Sequence, residues 1–324
     1  MANLGYMQLV RHCNQYCRIC SNPETPYVLD LETARRELDD FAERGYQGVI
    51  LTGGEPSLSA IVPQIVRDAI DRGLSVRMIT NGSRLADGAL ADEYLAAGLR
   101  HYHVSLYSSR AQVHDAITCV KGSHALACQA IGNLCGRGAV VNLNTVINRL
   151  NCDHLDELAR LVIERLGGVR HVVINNLDPS MGRAETNREM LHRLEDMEVS
   201  LHRALTLLQA SGRTFRVERV PLCYMAEFAH ASTETRKIVK QEERTIHFLD
   251  EKGTVRQTSF RHAKAEVCGA CTLDAICAGL FEMGHGYDAG ELSPLFVDRE
   301  AIERRIRSAP GEDSSGIAGQ AGVH

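Results

Sequence analysis

The sequence contains no tryptophan, and aromatic residues make up only 5% of its 324 residues. Such a chain offers little aromatic surface on which bases or sugars could stack. It also lacks an excess of one charge, because 36 basic and 41 acidic residues leave a net charge of −5. Nucleic acid and other polyanionic partners are therefore not expected, since no basic surface is present to attract them.

Long apolar segments are missing as well, because no apolar run reaches the roughly 18 residues of a membrane-spanning helix. The first residues, Met-Ala-Asn-Leu-Gly, do not form the basic and apolar regions of a secretory signal. We therefore expect a cytoplasmic protein without a membrane partner. Apolar residues make up 44% of the chain, which is enough to build the core of one large domain or of two.

Cysteine, by contrast, is abundant, with 11 residues in the chain. In a reducing cytoplasm, cysteines at short spacings indicate metal ligands rather than disulfides. Most of the 11 fall into two groups with such spacing. Four others lack it and are interpreted as small buried side chains: Cys119, Cys128, Cys135 and Cys152.

The first cysteine group follows an apolar run at 7–10 that predicts a strand. Cys13, Cys17 and Cys20 then lie on a short loop that can direct three thiolates at one point. Three thiolates would hold a [4Fe–4S] cluster and leave one iron open for a non-protein ligand. Zinc is the alternative, although a structural zinc site needs four ligands and only His12 is close by. The spacing of these cysteines alone does not distinguish an iron–sulfur cluster from a zinc site.

This loop resembles that of the radical S-adenosylmethionine (SAM) enzymes, whose hallmark is Cys-x3-Cys-x-aromatic-Cys after the first barrel strand. Ile19 stands where the family usually has an aromatic residue that leans on the adenine, which is a departure in packing and not in ligation. The resemblance covers about residues 5–297. It implies that Cys13, Cys17 and Cys20 hold a cluster whose open iron binds the amino and carboxylate groups of SAM.

The resemblance also implies the chemistry of the family. One electron from the reduced cluster would cleave SAM, and the resulting 5′-deoxyadenosyl radical would remove a hydrogen atom from the substrate. The protein would supply the cysteine ligands, a dry pocket and orientation. An external donor such as flavodoxin or ferredoxin would deliver the electron.

Strand and helix patterns alternate along the first two thirds of the chain. The first helix is predicted at 31–44, with Asp30 as its N-cap and Gly45 ending it. Six parallel strand–helix units are too few for a closed eight-stranded barrel. They fit the open architecture of the family, so we predict an α/β fold with a partial (β/α)6 TIM-like barrel over residues 1–212. The predicted strands are 7–10, 49–52, 75–79, 101–107, 139–147 and 171–176, and the last helix lies near 188–210.

Gly53-Gly54-Glu55-Pro56 comes directly after the second strand. The two glycines allow a close backbone approach, and Glu55 offers a carboxylate at the strand end where parallel barrels keep their chemistry. The four residues could equally form an ordinary turn. The resemblance implies instead that Gly53, Gly54 and Glu55 bind the amino group of the SAM methionine.

Later strands carry polar residues near their carboxyl ends. Ser105 and Asn144 are candidates, by the same resemblance, for contacts with the ribose or the carboxylate of SAM. For Asn144, as for Thr80 and Asn81, a purely structural role at the strand end is the alternative.

The second cysteine group is Cys268, Cys271 and Cys277, and its spacing is a strong ligand signature. Cys223, farther upstream, would be a fourth ligand. Four thiolates suit zinc as well as an iron–sulfur cluster. The resemblance favours the cluster, because this region is similar to the shortened SPASM, or Twitch, domain of many radical SAM enzymes. That domain implies one auxiliary [4Fe–4S] cluster, since no cysteine follows Cys277.

We predict that this small α+β domain spans residues 213–297. Its expected strands are 214–220, 245–249 and 254–258, with a hairpin turn at 249–253. A helix at 298–308 would follow. The tail at 309–324 consists of small and polar residues that cannot bury a core, and it is predicted to be disordered.

Three functions are open at this point. The first is a radical SAM enzyme that oxidatively modifies a peptide or a small natural-product precursor, with a separate peptide-recognition protein as a further partner. The second is a radical SAM enzyme acting on a nucleotide or sugar, such as a cofactor-biosynthesis cyclase or an aminocyclitol dehydrogenase. The third is a non-catalytic metal scaffold, which would not need a Gly-Gly-Glu-Pro loop on a barrel rim.

Overall fold

The computed structural model describes residues 4–22, 25–241, 244–247, 254–257 and 261–309. Its centre is a parallel sheet of seven strands in which each strand pairs with the next one in the sequence. The two ends of this sheet are β1 and β7, so the strands curl into an open barrel, and the predicted α/β fold class is confirmed. The strands are β1 (Leu4–Val10), β2 (Gly48–Gly53), β3 (Ser75–Thr80), β4 (His101–Ser105), β5 (Val140–Ile147), β6 (His171–Asn176) and β7 (Thr214–Glu218).

Helices follow the strands and cover the outside of the sheet. Asp30 caps the first of them, accepting a hydrogen bond from the Thr33 N–H at 2.8 Å, as predicted. The helix predicted near 188–210 begins later than expected, at Leu194, because a short 3₁₀ turn at Arg188–Met190 precedes it. The helices are α1 (Leu31–Glu43), α2 (Val62–Asp71), α3 (Gly88–Ala96), α4 (Ala111–Thr118), α5 (Ser123–Gly136), α6 (Leu155–Glu164), α7 (Gly182–Thr186), α8 (Leu194–Ala210), α9 (Thr233–Lys240) and α10 (Arg299–Ser308).

The barrel sheet contains one strand more than the six predicted. The segment at 214–218 was expected in the C-terminal domain, but it pairs in parallel with β6, with Thr214 opposite His171. The sequence indicated a strand here without indicating the strand with which it pairs. The strand also ends earlier than predicted, at Glu218, because Arg219 adopts a left-handed conformation with φ of +63°. The domain boundary at 212 remains a prediction.

The two faces of the sheet have different compositions. On β4, Tyr102 and Val104 are fully buried against the helices. His101, His103 and Ser105 alternate with them and point into the barrel, where they are partly exposed. The hydrophobic core therefore lies between sheet and helices, and the barrel interior is left for polar side chains.

The region after β7 is built from short elements. The predicted hairpin is present as the antiparallel pair β8 (Arg244–His247) and β9 (Thr254–Gln257), while its turn at 249–253 lies outside the described residues. A second pair consists of β10 (His262–Ala263) and β11 (Leu280–Phe281). The predicted final helix is α10, capped by Asp298. Most of the predicted disordered tail, from residue 310 on, also lies outside the described residues. Within the described residues, no helix is both long and apolar enough to cross a membrane.

Candidate cofactor sites

The three cysteines of the first group lie on the loop after β1, at the carboxyl end of the barrel. All three are partly buried. The Cys13 sulfur accepts hydrogen bonds from the Gln15 N–H at 3.4 Å and from the Asn81 amide at 3.6 Å. Burial raises the pKa of the Cys13 and Cys17 thiols, and the neighbouring thiols add to the rise. Such a loop would need a bound cation to keep its thiolates charged.

The Gly-Gly-Glu loop after β2 packs directly on the cysteine loop. Gly53 has φ of +127°, and a Cβ atom there would lie 2.1 Å from the Val10 carbonyl oxygen. A Cβ atom on Gly54 would lie 2.0 Å from the carbonyl oxygen of His12. The Gly54 N–H donates to the Val10 carbonyl at 2.7 Å, which fixes this approach. Both glycines are therefore required by the contact between the two loops, whether or not a ligand also approaches them.

Glu55 is fully buried at the same rim. One carboxylate oxygen accepts hydrogen bonds from the Thr80 hydroxyl at 2.7 Å and the Ser57 N–H at 3.1 Å, and the other accepts from the Asn81 N–H at 2.7 Å. Burial raises the pKa of Glu55, and hydrogen bonding from the Ser57 hydroxyl, the Asn81 N–H and the Thr80 hydroxyl offsets part of the rise. A carboxylate has about four acceptor positions, and the contacts with Thr80, Ser57 and Asn81 occupy most of them.

The two other candidate SAM contacts are neighbours. Ser105, at the end of β4, lies opposite Asn144 on β5 in the strand register. The Asn144 side-chain oxygen accepts a hydrogen bond from the Asn175 amide at 2.8 Å. The strand ends thus bring a hydroxyl and two amides together inside the barrel mouth, and Asn175 is a residue that the sequence reasoning did not single out.

Two aromatic residues near the cysteine loop were also not predicted. Tyr107, two residues beyond Ser105, packs with Cys17 against the cluster of buried side chains that includes Ile19. Tyr16 lies on the loop itself, and the Arg183 guanidinium lies 3.7 Å above its ring. The Arg183 N–H donates to the Cys20 carbonyl at 2.8 Å, so α7 covers the end of the loop. The period-2 pattern through Ser105 could have identified Tyr107; no local signal identifies Arg183.

Cys119 lies beside the same loop. It follows α4 with φ of +57°, a conformation that favours glycine. The adjoining residues hold the cysteine loop from outside, because Tyr16 N–H donates to the Thr118 carbonyl at 3.0 Å and Arg18 N–H to that of Ile117 at 2.9 Å. The side chain of Cys119 is exposed, which differs from its interpretation as a buried residue. Cys152 is buried as predicted, and Cys128 and Cys135 are partly buried.

The second cysteine group surrounds one cavity. Cys223, Cys268, Cys271 and Cys277 all line it, together with apolar residues and Lys264. Cys223 comes from the turn after β7 and the other three from turns between β10 and α10. The long sequence separation of Cys223 from the others is therefore bridged by the fold.

Backbone N–H groups point at the sulfurs of this cavity. The Leu295 N–H donates to the Cys271 sulfur at 3.3 Å, and the Gly279 N–H donates to the Cys277 sulfur at 3.4 Å. A backbone hydrogen bond from Ser293 likewise lowers the pKa of Cys223, but burial dominates and raises it to about 11. Burial raises the pKa of Cys277 as well. Donors arranged around sulfur stabilise thiolates, which is the form that binds metal.

Both sites contain the donor types that iron–sulfur clusters use: thiols around a space, with N–H groups directed at sulfur. Across the described residues, no group of three or more His, Cys, Asp or Glu side chains is arranged as a binding site for a metal ion. The suitability of the two sites for iron–sulfur clusters therefore rests on the residues that line each site and on their hydrogen bonds.

The sequence of this chain is similar to those of known proteins. The Radical SAM superfamily matches residues 7–162. A PqqA peptide cyclase of Ruegeria pomeroyi is 30% identical over 229 residues, which cover 69% of this chain and 60% of the relative. An AdoMet-dependent heme synthase of Nitratidesulfovibrio vulgaris is 30% identical over 166 residues, 50% of this chain and 45% of that protein. The chain thus spans about half the length of the curated relatives it matches.

Solved structures show the same fold at low sequence identity. Streptococcus suis SuiB bound to S-adenosylmethionine has a TM-score of 0.62 at 14% identity, covering 88% of this chain and 77% of that one. The protein anSMEcpe with bound AdoMet and Cp18Cys peptide has a TM-score of 0.63 at 13% identity, covering 86% and 88% of the two chains. The family match thus places residues 7–162 of this chain with the radical SAM superfamily, whose members use a [4Fe–4S] cluster and S-adenosylmethionine.

Proposed function

We propose that the protein is a radical SAM enzyme that oxidatively modifies a peptide and holds two [4Fe–4S] clusters. The observation that carries this proposal is the grouping of seven cysteines around two places in the fold. Three of them lie on one rim loop beside Glu55, and four line one cavity in the C-terminal region. An open three-thiolate site and a closed four-thiolate site are what a SAM-binding cluster and an auxiliary cluster require.

Cys13, Cys17 and Cys20 would hold the first cluster, which, with SAM bound, supplies a 5′-deoxyadenosyl radical that removes a hydrogen atom from the substrate. Glu55 is the buried carboxylate at this rim and would attract the ammonium group of the SAM methionine through its charge. Gly53 and Gly54 would keep its loop against the cysteine loop, as their close backbone contacts already do. Ser105 and Asn144 would bind the ribose or the carboxylate.

The four-cysteine cavity would hold the auxiliary cluster in a Twitch-like domain over residues 213–297. Its Leu295, Gly279 and Ser293 N–H groups would stabilise thiolates and orient them. A closed site has no position for a substrate ligand, so its role would be to take up the electron that an oxidation releases.

The named relatives support a peptide substrate. The first of them is a PqqA peptide cyclase, and one matched structure is SuiB bound to its precursor peptide SuiA. A tetrapyrrole or another small precursor is the second candidate, because the next relative is a heme synthase. A flavodoxin or ferredoxin would be the electron donor, and a separate recognition protein could present the peptide.

The test is an anaerobic assay of the reconstituted, reduced enzyme with SAM. Candidate peptides and tetrapyrroles are added in parallel, and 5′-deoxyadenosine and the substrate mass are measured. We expect 5′-deoxyadenosine formation that depends on a peptide, with loss of two hydrogens from it. A Cys17→Ala variant is the matched negative control, and Cys135→Ala is the positive one. No 5′-deoxyadenosine with any substrate, from protein that contains its clusters, would refute the proposal, while a response to tetrapyrroles alone would refute the peptide substrate.

A further inference from the structure

Tyr107 occupies a defined place at the mouth of the barrel. The residues from His101 onward alternate between partly exposed and buried, and this alternation continues past the end of β4 at Ser105. Leu106 and Ser108 are buried, while Tyr107 between them is only partly buried. Because alternate residues share a face, Tyr107 faces the same interior as Ser105.

One face of the Tyr107 ring is held in place from behind. The ring stacks on the His114 imidazole, with centroids 5.4 Å apart and planes at 22°. The Tyr107 N–H donates to the His114 Nδ1 atom at 3.1 Å, and His114 is itself almost fully buried. His124 packs edge-on against His114 at 5.6 Å. The orientation of the tyrosine ring is therefore fixed by a buried layer of rings.

The other surroundings of Tyr107 are the first cofactor site. The ring packs with Cys17 against the cluster of side chains around Ile19. The pKa of its phenol is raised well above the usual value, first by burial and then by the nearby Cys17 thiol, with smaller contributions from Cys20 and Cys13. The side chain of Ser105 lies close enough to offset part of this rise. Tyr107 thus lies between a candidate ribose contact and the three thiols.

We propose that the Tyr107 ring is the surface on which the adenine of SAM stacks, in place of the aromatic residue that the cysteine loop lacks at Ile19. In SAM the base is bonded to the ribose, so a ribose near Ser105 places the base close to the next residue on the same face, Tyr107. An aromatic ring stacks on every base through its π-face, and such contacts contribute to affinity without any sequence-specific hydrogen bond. This inference rests on the proposed function, and Tyr107 would be a SAM-positioning residue.

The experiment measures ligand affinity and not turnover. The reconstituted protein is titrated with SAM and with S-adenosylhomocysteine by equilibrium dialysis, and with L-methionine, which has no adenine, by its effect on the spectrum of the reduced cluster. We expect Tyr107→Leu to weaken binding of both adenine-containing ligands about 5- to 100-fold, with methionine binding and iron content unchanged. Tyr107→Phe keeps the ring and should keep wild-type affinity.

Tyr46→Leu is the matched control, because Tyr46 is a partly buried tyrosine that packs on Phe41 before the amino end of β2, at the opposite end of the strand from the Gly-Gly-Glu loop. It should bind SAM like the wild type. Tyr107→Met is a second variant for the case that leucine disturbs folding, since its flexible side chain fills a similar space. The inference would be overturned if the leucine and methionine variants of Tyr107 bound SAM with wild-type affinity, or if they lost as much affinity for L-methionine as for SAM. Either result would leave the proposed function intact. Failure of the wild type to bind SAM would refute the proposed function instead, and the inference with it.

Discussion

The Glu55 carboxylate accepts a hydrogen bond from the Asn81 N–H at 2.7 Å, and this bond ties the loop after β2 to the end of β3. Asn81 in turn donates to the Cys13 sulfur at 3.6 Å. One buried carboxylate therefore connects three strand ends at the place where the first cluster would bind. This arrangement gives Glu55 a structural role in addition to the ligand contact that the family resemblance implies.

The two roles of Glu55 can be separated by substitution. Glu55→Ala leaves the Thr80 hydroxyl and two N–H groups without their acceptor, and we expect a loss of about 1–3 kcal/mol in the free energy of unfolding. Glu55→Gln keeps one acceptor oxygen, but its NH2 group faces a backbone N–H in place of the second oxygen. It should therefore lose less stability than Glu55→Ala, and through the lost charge it should weaken SAM binding at least about tenfold. Thermal unfolding and SAM dialysis measure the two effects. Substitution of the exposed Glu32 by glutamine is the control. Unaltered SAM binding by Glu55→Gln would show that Glu55 does not bind SAM.

The iron content tests the two cysteine groups. Anaerobically reconstituted protein should hold about eight irons per chain, since each [4Fe–4S] cluster contributes four. Replacing Cys13, Cys17 and Cys20 together by alanine should leave about half of this iron, and Cys128→Ala should leave all of it. Iron and zinc are measured by elemental analysis. Stoichiometric zinc with one cluster's worth of iron would contradict the auxiliary cluster.

Cys119 gives a prediction about backbone strain. A non-glycine residue in the left-handed region costs about 1 kcal/mol or more, and Cys119 has φ of +57° there. Cys119→Gly should therefore raise the free energy of unfolding by up to about 1 kcal/mol, because the gain exceeds the entropy cost of glycine at such a position. Chemical denaturation measures the change. Cys128→Gly, inside α5, should instead destabilise the protein, and destabilisation by Cys119→Gly would show that the position is not strained.

Glu234 gives a pH-dependent effect. Burial and the neighbouring Glu218 raise its pKa to about 7, so the folded protein holds a proton that the unfolded chain releases at lower pH. Stability contributed by this group is present below the ordinary carboxyl pKa and declines as the pH rises toward 7. Glu234→Gln should flatten this decline by about 2 kcal/mol between pH 4.5 and 7. The free energy of unfolding is measured at several pH values across this range for the wild type and for Glu234→Gln. Substitution of the exposed Glu32 by glutamine is the control. The same pH dependence in Glu234→Gln as in the wild type would mean that Glu234 titrates normally.

The sequence was informative where the pattern is local. The cysteine spacings, the glycine loop and Asp30 as a cap are all readable from adjacent residues, and strand and helix positions follow from periodicity. The sequence did not predict which strand pairs with the strand at 214–218. It pairs in parallel with β6, from which the long helix α8 separates it in the sequence. Tyr107 and Arg183 reach the first site only through tertiary packing. The position of Cys223 beside the later cysteines also depends on the fold. Only the family resemblance predicted that Cys223 joins this group.

The four-cysteine cavity leads to a prediction that separates the two sites by role. The Cys271 sulfur lines this cavity and accepts a hydrogen bond from the Leu295 N–H at 3.3 Å. If four thiolates fill all ligand positions of the auxiliary cluster, that cluster transfers electrons and does not bind substrate. Cys271→Ala should then still produce 5′-deoxyadenosine with a strong chemical reductant, yet form little oxidised peptide, because the electron released by the substrate radical has no acceptor.

The measurement for Cys271→Ala compares 5′-deoxyadenosine with oxidised product in the same reaction. Cys135→Ala, whose cysteine lies outside both groups, should keep the wild-type ratio. Full product formation by Cys271→Ala would make the auxiliary site purely structural. A change in the auxiliary cluster's spectrum on adding substrate to the wild type, of the kind that direct coordination causes, would mean that one position is open. Cys223 is then the residue to replace first, since it alone comes from a separate part of the chain.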